Sequence, residues 1–495
     1  MGIVRRQSAL NLVWSYLGVA LGYLNKVILF SEILTKGEFG LLELLLTFMT
    51  IGAEIALLGT PKIITRFFPR FRGHPQREGS MMFFIVVYVL SGFAILTCLL
   101  LVFKPILISS YQENSPLFAE NFLYVIPITL GYVMYKVTAN ISGSLFRSVI
   151  PMMAFEVVQK ILMTALIGAY FYEWFDFEKV VLLYVIIHFA PSLIIFSDII
   201  RQNLKWTVDW SIFRSRPGRL MIQYGLFSSI SDATGILVQR VDMLLLGLLI
   251  GEADTGTYAI AIYFSAVIAK PSRSMTGILG PLIATRLKEN NMKEVSLLYR
   301  KTALQNVLIG GFLLVGMIVN LGPFFELLPK HADAKFPAAI LGLTLVLNTF
   351  TGPHRMILIN TKHFRVDLWA NLSLLITATL IDLWLIPRYQ LVGAAVGTLT
   401  VMILYNLGLM LYVRHTFSIF PIGWKNVGIL VILAGICLVG LAIPPLSHPL
   451  LTMLVRSVSV TLLYAGFMLW AKPSPDLHEL MLIALGKVRK IFWRS

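Results

Sequence analysis

The stretch Met81-Met-Phe-Phe-Ile-Val-Val-Tyr-Val-Leu-Ser-Gly-Phe-Ala-Ile-Leu-Thr-Cys-Leu-Leu-Leu-Val-Phe103 runs for 23 residues without a charged side chain. A helix rises about 1.5 Å per residue, so about 20 apolar residues cross a hydrocarbon core roughly 30 Å thick. The run does not alternate with period two, which argues against a barrel strand. Basic residues flank it, with Arg70, Arg72 and Arg77 before and Lys104 after. Working outward, fourteen windows of this kind occur: 10–34, 39–59, 81–103, 120–144, 152–172, 180–200, 221–250, 256–280, 302–322, 337–360, 366–387, 391–413, 426–444 and 451–471. The composition agrees. Of 495 residues, 57% are apolar and 13% charged, against about 45–50% and roughly 25% in soluble domains. A soluble enzyme, a disordered chain, a fibre and a disulfide scaffold are excluded. The expectation is an all-α polytopic membrane protein with about fourteen transmembrane helices.

The formal net charge is +16. In a membrane protein, the placement of basic residues decides what such a charge means. With the N-terminus inside, 27 of the 41 Lys and Arg residues fall in inner segments and 6 in outer loops. This bias fits an even number of spans with both termini cytoplasmic, and it requires no nucleic-acid partner. Arg5 and Arg6 precede an apolar stretch that runs to about Leu34 without a small-residue cleavage site, so it reads as a retained first span rather than a signal peptide. Cys98 and Cys437 both sit in apolar runs and imply no disulfide framework.

Shifting the sequence by 216 residues aligns Gln7 with Gln223, Ser15 with Ser231 and Gly40 with Gly256. The segments Leu34-Thr-Lys-Gly-Glu-Phe-Gly40 and Ile250-Gly-Glu-Ala-Asp-Thr-Gly256 are each a polar outer turn between two apolar windows. Both windows that precede these turns start inside, so the repeat is parallel, an arrangement that places a substrate path between two halves. The reading is two six-helix lobes, 1–201 and 220–415, joined by a cytoplasmic loop, 202–219. Two extra helices and a basic tail, 416–495, complete the chain.

Ionisable groups inside spans must face a partner, water or substrate. Gly18, Gly22 and Lys26 recur at i, i+4 and i+8, a stripe that holds the ammonium over space left by two small residues. A structural pair of Lys26 with Glu54 or Asp242 is the alternative. Asp232, Arg240 and Asp242 share one window; Arg240 and Asp242, two apart, face different ways. Lys270 and Arg273 share a face beside Pro271, which kinks the helix. They form the sharpest local signal for an anion, since guanidinium forks suit phosphate oxygens. Glu156 and Lys160, at i and i+4, read as a local ion pair, and Lys136 is a further cation within a window. Asp232, Asp242, Asp367 and Asn371 are candidates for ion coupling or for structural pairs, and Arg355 and Arg456 read as snorkelling from helix ends.

No phosphate loop G-x-x-x-x-G-K and no H-E-x-x-H occurs, the eight histidines are scattered, and the outer loops are too short for a catalytic domain. The expectation is therefore not an enzyme, with no metal and no cofactor beyond Na⁺ or H⁺ coupling.

Arg240-Val-Asp-Met-Leu-Leu-Leu-Gly247 is similar to a family pattern R-x-D/N-x-x-x-L-G. Leu385-Ile-Pro-Arg-Tyr-Gln-Leu-Val-Gly-Ala-Ala395 resembles L-I-P-x-Y-G-x-x-G-A-A, with Gln390 in place of the usual Gly. With the run Asn11 to Tyr23 and the turn Leu34 to Gly40, the chain resembles the polysaccharide-biosynthesis, O-antigen-flippase-type branch of the multidrug/oligosaccharidyl-lipid/polysaccharide (MOP) exporter superfamily. The resemblance implies twelve core helices plus two, alternating access, and a polyprenyl-pyrophosphate-linked oligosaccharide crossing the cytoplasmic (inner) membrane. Lys26, Arg240, Lys270 and Arg273 would then bind the anionic pyrophosphate in a central cavity, with a polysaccharide polymerase as a further partner. A Na⁺- or H⁺-coupled drug or metabolite exporter and a non-transporting scaffold of a glycan-assembly complex are the alternatives.

Overall fold

The computed structural model describes residues 2–202, 206–477 and 479, and among them every regular element is helical. In chain order the longer helices are α1 (Leu10–Ile33), α2 (Lys36–Leu57), α3 (Thr60–Phe71), α4 (Pro75–Tyr111), α5 (Pro116–Ser144), α6 (Val149–Phe171) and α7 (Phe177–Ile200). Then come α8 (Arg216–Leu249), α9 (Glu252–Ser265), α10 (Lys270–Lys288), α11 (Met292–Glu326), α12 (Lys335–Phe350), α13 (Phe364–Phe417), α14 (Trp424–Ala442) and α15 (Pro449–Ala471). Among the described residues, 10 helices are long and apolar enough to cross a membrane. The protein is thus an all-α, multi-pass membrane protein.

The ten and the fourteen windows differ for physical reasons. Windows 366–387 and 391–413 run together in α13, which bends at Gln390. Windows 221–250 and 256–280 are helical as α8, α9 and α10, but they carry polar and charged residues that are themselves candidates for function. Window 337–360 contains α12, only 16 residues long.

Local chemistry sets several helix ends. Thr35 caps α2: its hydroxyl accepts from the Glu38 amide at 3.2 Å, and the Glu38 carboxylate accepts from the Thr35 amide at 2.8 Å. This reciprocal box satisfies two otherwise orphaned donors. At the far end Leu58 and Gly59 are both left-handed, with φ of 46° and 75°. The chain breaks there and restarts as α3, with Pro61 in its first turn. Gly59 is required at that break, because a Cβ would meet the Ser228 hydroxyl at 2.5 Å.

The chain divides into two compact units, Met1–Ile260 and Ala261–Ser495. In the first, Ala53, Leu57, Ile85, Tyr88, Leu96 and Val133 lock α2, α4 and α5 together, and α8 lies against α2, where Gly247 leaves room for Leu44. Lipid is as apolar as leucine, so close packing rather than water exclusion drives such contacts. Leu99, Leu101, Val102, Phe103 and Ile106 of α4 stay exposed and suit a lipid-facing surface. In the second unit, α11 is the hub. Val307, Leu308, Val315 and Val319 pack with Leu433 and Ile436 of α14 and Val460 of α15.

Arg456 does not snorkel. It is 9% exposed and donates to the Val319 carbonyl at 2.8 Å and the Ile443 carbonyl at 2.7 Å. A five-donor guanidinium that finds carbonyls inside the protein has no need of the interface.

Candidate functional site

Lys26 lies in a π-helical stretch of α1, Leu24–Leu29. Its ammonium sits 2.7 Å from Glu43 Oε1 on α2 and 3.4 Å from the Tyr184 hydroxyl on α7. It also faces the rings of Phe30 at 5.0 Å and Phe39 at 5.7 Å. The lysine side chain is 13% exposed and the glutamate 1%. Glu43, rather than Glu54 or Asp242, is therefore the carboxylate of this pair. The stripe of small residues ends before Lys26. Gly18 and Gly22 pack instead on Glu156 and Lys160 of α6, and Lys160 bonds Glu156 at 2.6 Å and the Gly18 carbonyl at 2.7 Å. The reason is geometric: a π bulge inserts one residue and rotates the rest of the helix by about a quarter turn. A second π-helical stretch, Ala154–Val158, carries Glu156, and Asn25 ties the two helices through the Lys160 carbonyl at 2.8 Å.

On α8, Asp232 pairs with Lys62 of α3 at 2.7 Å. Glu54 of α2 pairs with Lys136 of α5 at 3.4 Å. Asp242 is buried and accepts from the Tyr258 hydroxyl at 3.0 Å. Its counterpart under the 216-residue shift is Lys26, and the two charges are satisfied in parallel ways. Each sits on the first helix of a repeat and finds its partner on the second, 17 residues on for Lys26 and 16 for Asp242. The repeat-related glycines meet as well: a Cβ on Gly256 would lie 2.9 Å from the Gly40 nitrogen.

The Lys62–Asp232 side chains are 44% and 33% exposed, and Lys136 is 31% exposed. Asp232 and Lys136 lie within apolar windows of the sequence, and ion pairs this open within a span require water rather than lipid beside them. From sequence alone Lys62 falls in an inner loop, since Gly59-Thr-Pro61 looks like a turn, and Glu43 does not stand out at all. Arg240 is half-buried and forms no ion pair among the described residues.

In the second unit, the chain tightens to a 3₁₀ turn over Ala266–Ala269, and α10 starts at Lys270 with Pro271 in its first turn. Lys270 is exposed; the side chain of Arg273 lies outside the described residues. Asp367 accepts from Arg355 at 2.8 Å, so Arg355 pairs rather than snorkels. The Asn371 amide donates to the Asp367 carbonyl at 2.7 Å. Asp232 and Asp367 thus each hold a basic partner of their own.

At Gln390 the backbone takes φ 51° and ψ −128°, a conformation that favours glycine. The bend expected of the L-I-P-x-Y-G pattern persists without its glycine.

No curated protein matches the chain. Among solved structures, it is similar to the lipid II flippase MurJ in an inward closed conformation, with a TM-score of 0.76 and 13% identity, over 95% of this chain and 99% of that one. It is also similar to a multidrug resistance MATE family transporter of the MOP superfamily in an inward-facing conformation, with a TM-score of 0.60 and 16% identity, over 82% of this chain and 94% of that one. A MATE transporter from Vibrio cholerae matches with a TM-score of 0.57 and 13% identity, over 84% and 98%. The fold is that of transporters and flippases rather than enzymes. A family model described as polysaccharide biosynthesis protein matches residues 5–270, more than half of the chain, and on that match the chain belongs to the polysaccharide biosynthesis protein family, with the fold of the MOP-superfamily transporters.

Proposed function

We propose that this protein is a lipid-linked oligosaccharide flippase. It moves polyprenyl-pyrophosphate-linked glycan units across the cytoplasmic membrane by alternating access, for surface polysaccharide such as O-antigen, capsule or exopolysaccharide. On this reading fourteen helices span the membrane with both termini cytoplasmic. Two six-helix lobes, 1–201 and 220–415, flank the path, and the cargo then passes to a polysaccharide polymerase.

The observation that carries the reading is the match of residues 5–270 to the polysaccharide biosynthesis family model, on a fold similar to that of the lipid II flippase MurJ. Glu43, Glu54, Glu156 and Asp232 each hold a lysine, and Asp242 holds a tyrosine hydroxyl. Arg240 forms no ion pair among the described residues. These five carboxylates and the four lysines with Arg240 cancel in formal charge, so what remains for an anion is the Arg240 guanidinium itself, which no carboxylate among the described residues holds at ion-pair distance. A pyrophosphate offers the oxygens a guanidinium fork matches, with Lys270 and Arg273 as the further cations of the path.

The test is a deletion strain complemented with wild type or Arg240→Gln. Polyprenyl-linked glycans are extracted and assigned to a leaflet by glycosidase accessibility. Accumulation of a single repeat unit in the inner leaflet, reversed by wild type and reversed at least about tenfold less by Arg240→Gln at equal expression, is expected. Unchanged surface glycan with no accumulated unit would instead favour a small-molecule exporter.

A further inference from the structure

We propose that a basic pocket where α3 ends and α4 and α8 begin binds the phosphate of a membrane-lipid headgroup. The pocket encloses about 520 Å³. Three arginines from three elements line it: Arg70 from the last turn of α3, Arg77 from the first turn of α4, and Arg216 from the first turn of α8. Phe67, Phe71 and Leu220 supply an apolar floor.

The arginines are only partly compensated. None of them forms an ion pair among the described residues. Asp209 lines the same pocket, but its carboxylate accepts from the Ser80 hydroxyl at 2.8 Å and from the amide and hydroxyl of Ser211. Those bonds hold the Asp209 carboxyl below the usual carboxylate range, so it stays ionised and offsets one of the three arginine charges, leaving the pocket basic. Arg77 and Arg216 stand in first helical turns, where the backbone dipole disfavours a cation and favours an anion. Two cations placed against that gradient, with a third beside them, leave a site that an anionic phosphate completes through forked hydrogen bonds.

The neighbourhood points to a lipid as the source. Trp206 and Trp210 stack edge-on against Phe83 at 6.1 and 5.0 Å while remaining 56% and 65% exposed. Exposed indoles beside a membrane span mark headgroup depth. The basic-residue bias puts this end of the helices on the inner side, where anionic lipids concentrate. A phosphate held by the arginines would have an apolar floor at hand for the start of its chains. The site lies apart from Arg240 and does not depend on what the protein transports.

The experiment uses the purified full chain in an uncharged detergent. Binding of dioctanoyl phosphatidic acid, dioctanoyl phosphatidylcholine and inorganic phosphate is measured by thermophoresis at two salt concentrations. Phosphatidic acid is expected to bind saturably, more weakly at higher salt. Its affinity should fall about tenfold or more, which is about 1.4 kcal/mol, in Arg77→Gln/Arg216→Gln. Arg201→Gln, an exposed change on the same side outside the pocket, should leave it unchanged. Should the double variant fail to yield folded protein, Arg77→Gln alone reads the same loss on a smaller scale. Inorganic phosphate bound as tightly as phosphatidic acid would overturn the lipid as occupant. Equal affinity of the double variant and wild type, or no binding of phosphatidic acid, would overturn the site.

Discussion

A lysine at membrane depth has few tolerable fates, and Lys26 shows one: a short ion pair with Glu43, a tyrosine hydroxyl, and aromatic faces around the ammonium. Removing one partner of a buried pair strands the other charge, at about 3–5 kcal/mol. Glu43→Gln and Lys26→Met should each lower the thermal midpoint in detergent sharply, whereas Lys26→Met/Glu43→Leu should recover most of the loss. A double variant no more stable than either single one would mean the pair is not the unit. The sequence reveals that Lys26 stands in a span, because an apolar run with one charge is visible along the chain. Its partner is not visible. That depends on how far α1 is rotated when it meets α2, and the π bulge at Leu24–Leu29 changes the rotation without leaving a sequence signature. Asp232 is hard to read for a similar reason, since its lysine comes after the left-handed break at Leu58 and Gly59, a break that resembles the end of a span.

Among elements, α13 carries backbone strain at its bend. Gln390 holds φ 51° and ψ −128° inside a 54-residue helical element, and a side chain there costs on the order of 1–3 kcal/mol. Gln390→Gly should therefore stabilise the fold by about 1 kcal/mol or more, read as a raised thermal midpoint; an unchanged or lowered midpoint would show that the glutamine makes up the strain. The departure from the family glycine is plain in the sequence. That the bend survives it is not, because bending is imposed by both halves of α13. A second element-scale case is the turn between α8 and α9. Glu252 accepts from the amides of Leu117 and Phe118 at 3.3 and 3.0 Å, yet burial raises its carboxyl above the usual range. A raised folded value means the protonated form is the better accommodated one. Its contribution is complete below the unfolded carboxyl value, about 4.3, and is lost as pH rises through the folded value. Glu252→Gln should thus gain thermal stability relative to wild type near pH 7, with the gain shrinking as pH falls to about 4. A difference that grows on acidification would refute the sign.

At the scale of the whole molecule, continuous apolarity is a one-dimensional property, so the membrane fold is legible throughout. Helices α8, α9, α10 and α12 are the least regular as spans because charges, a 3₁₀ turn or short length interrupt them. Those same interruptions hold Asp232, Arg240, Asp242 and Lys270. Lys26 and Asp242, aligned by the 216-residue shift, each find a partner on the following helix, one residue out of step. The paired carboxylates bear on energy supply. Asp232 is held by Lys62 and Asp367 by Arg355, so neither presents a vacant carboxylate to Na⁺. A pyrophosphate diester carries about two negative charges, and moving them out of an inside-negative compartment gains roughly 2.3 kcal/mol per charge at 100 mV. In vesicles whose lumen corresponds to the cytoplasm, outward movement of a polyprenyl-pyrophosphate glycan should accelerate when a potassium diffusion potential makes the interior negative, and slow when the potential is reversed. It should ignore a Na⁺ gradient at fixed potential. A Na⁺ gradient that alone drives the glycan outward would show that one of these paired carboxylates opens during the cycle. Replacing the pair with Lys62→Met/Asp232→Leu would then abolish the Na⁺ response if Asp232 is that carboxylate.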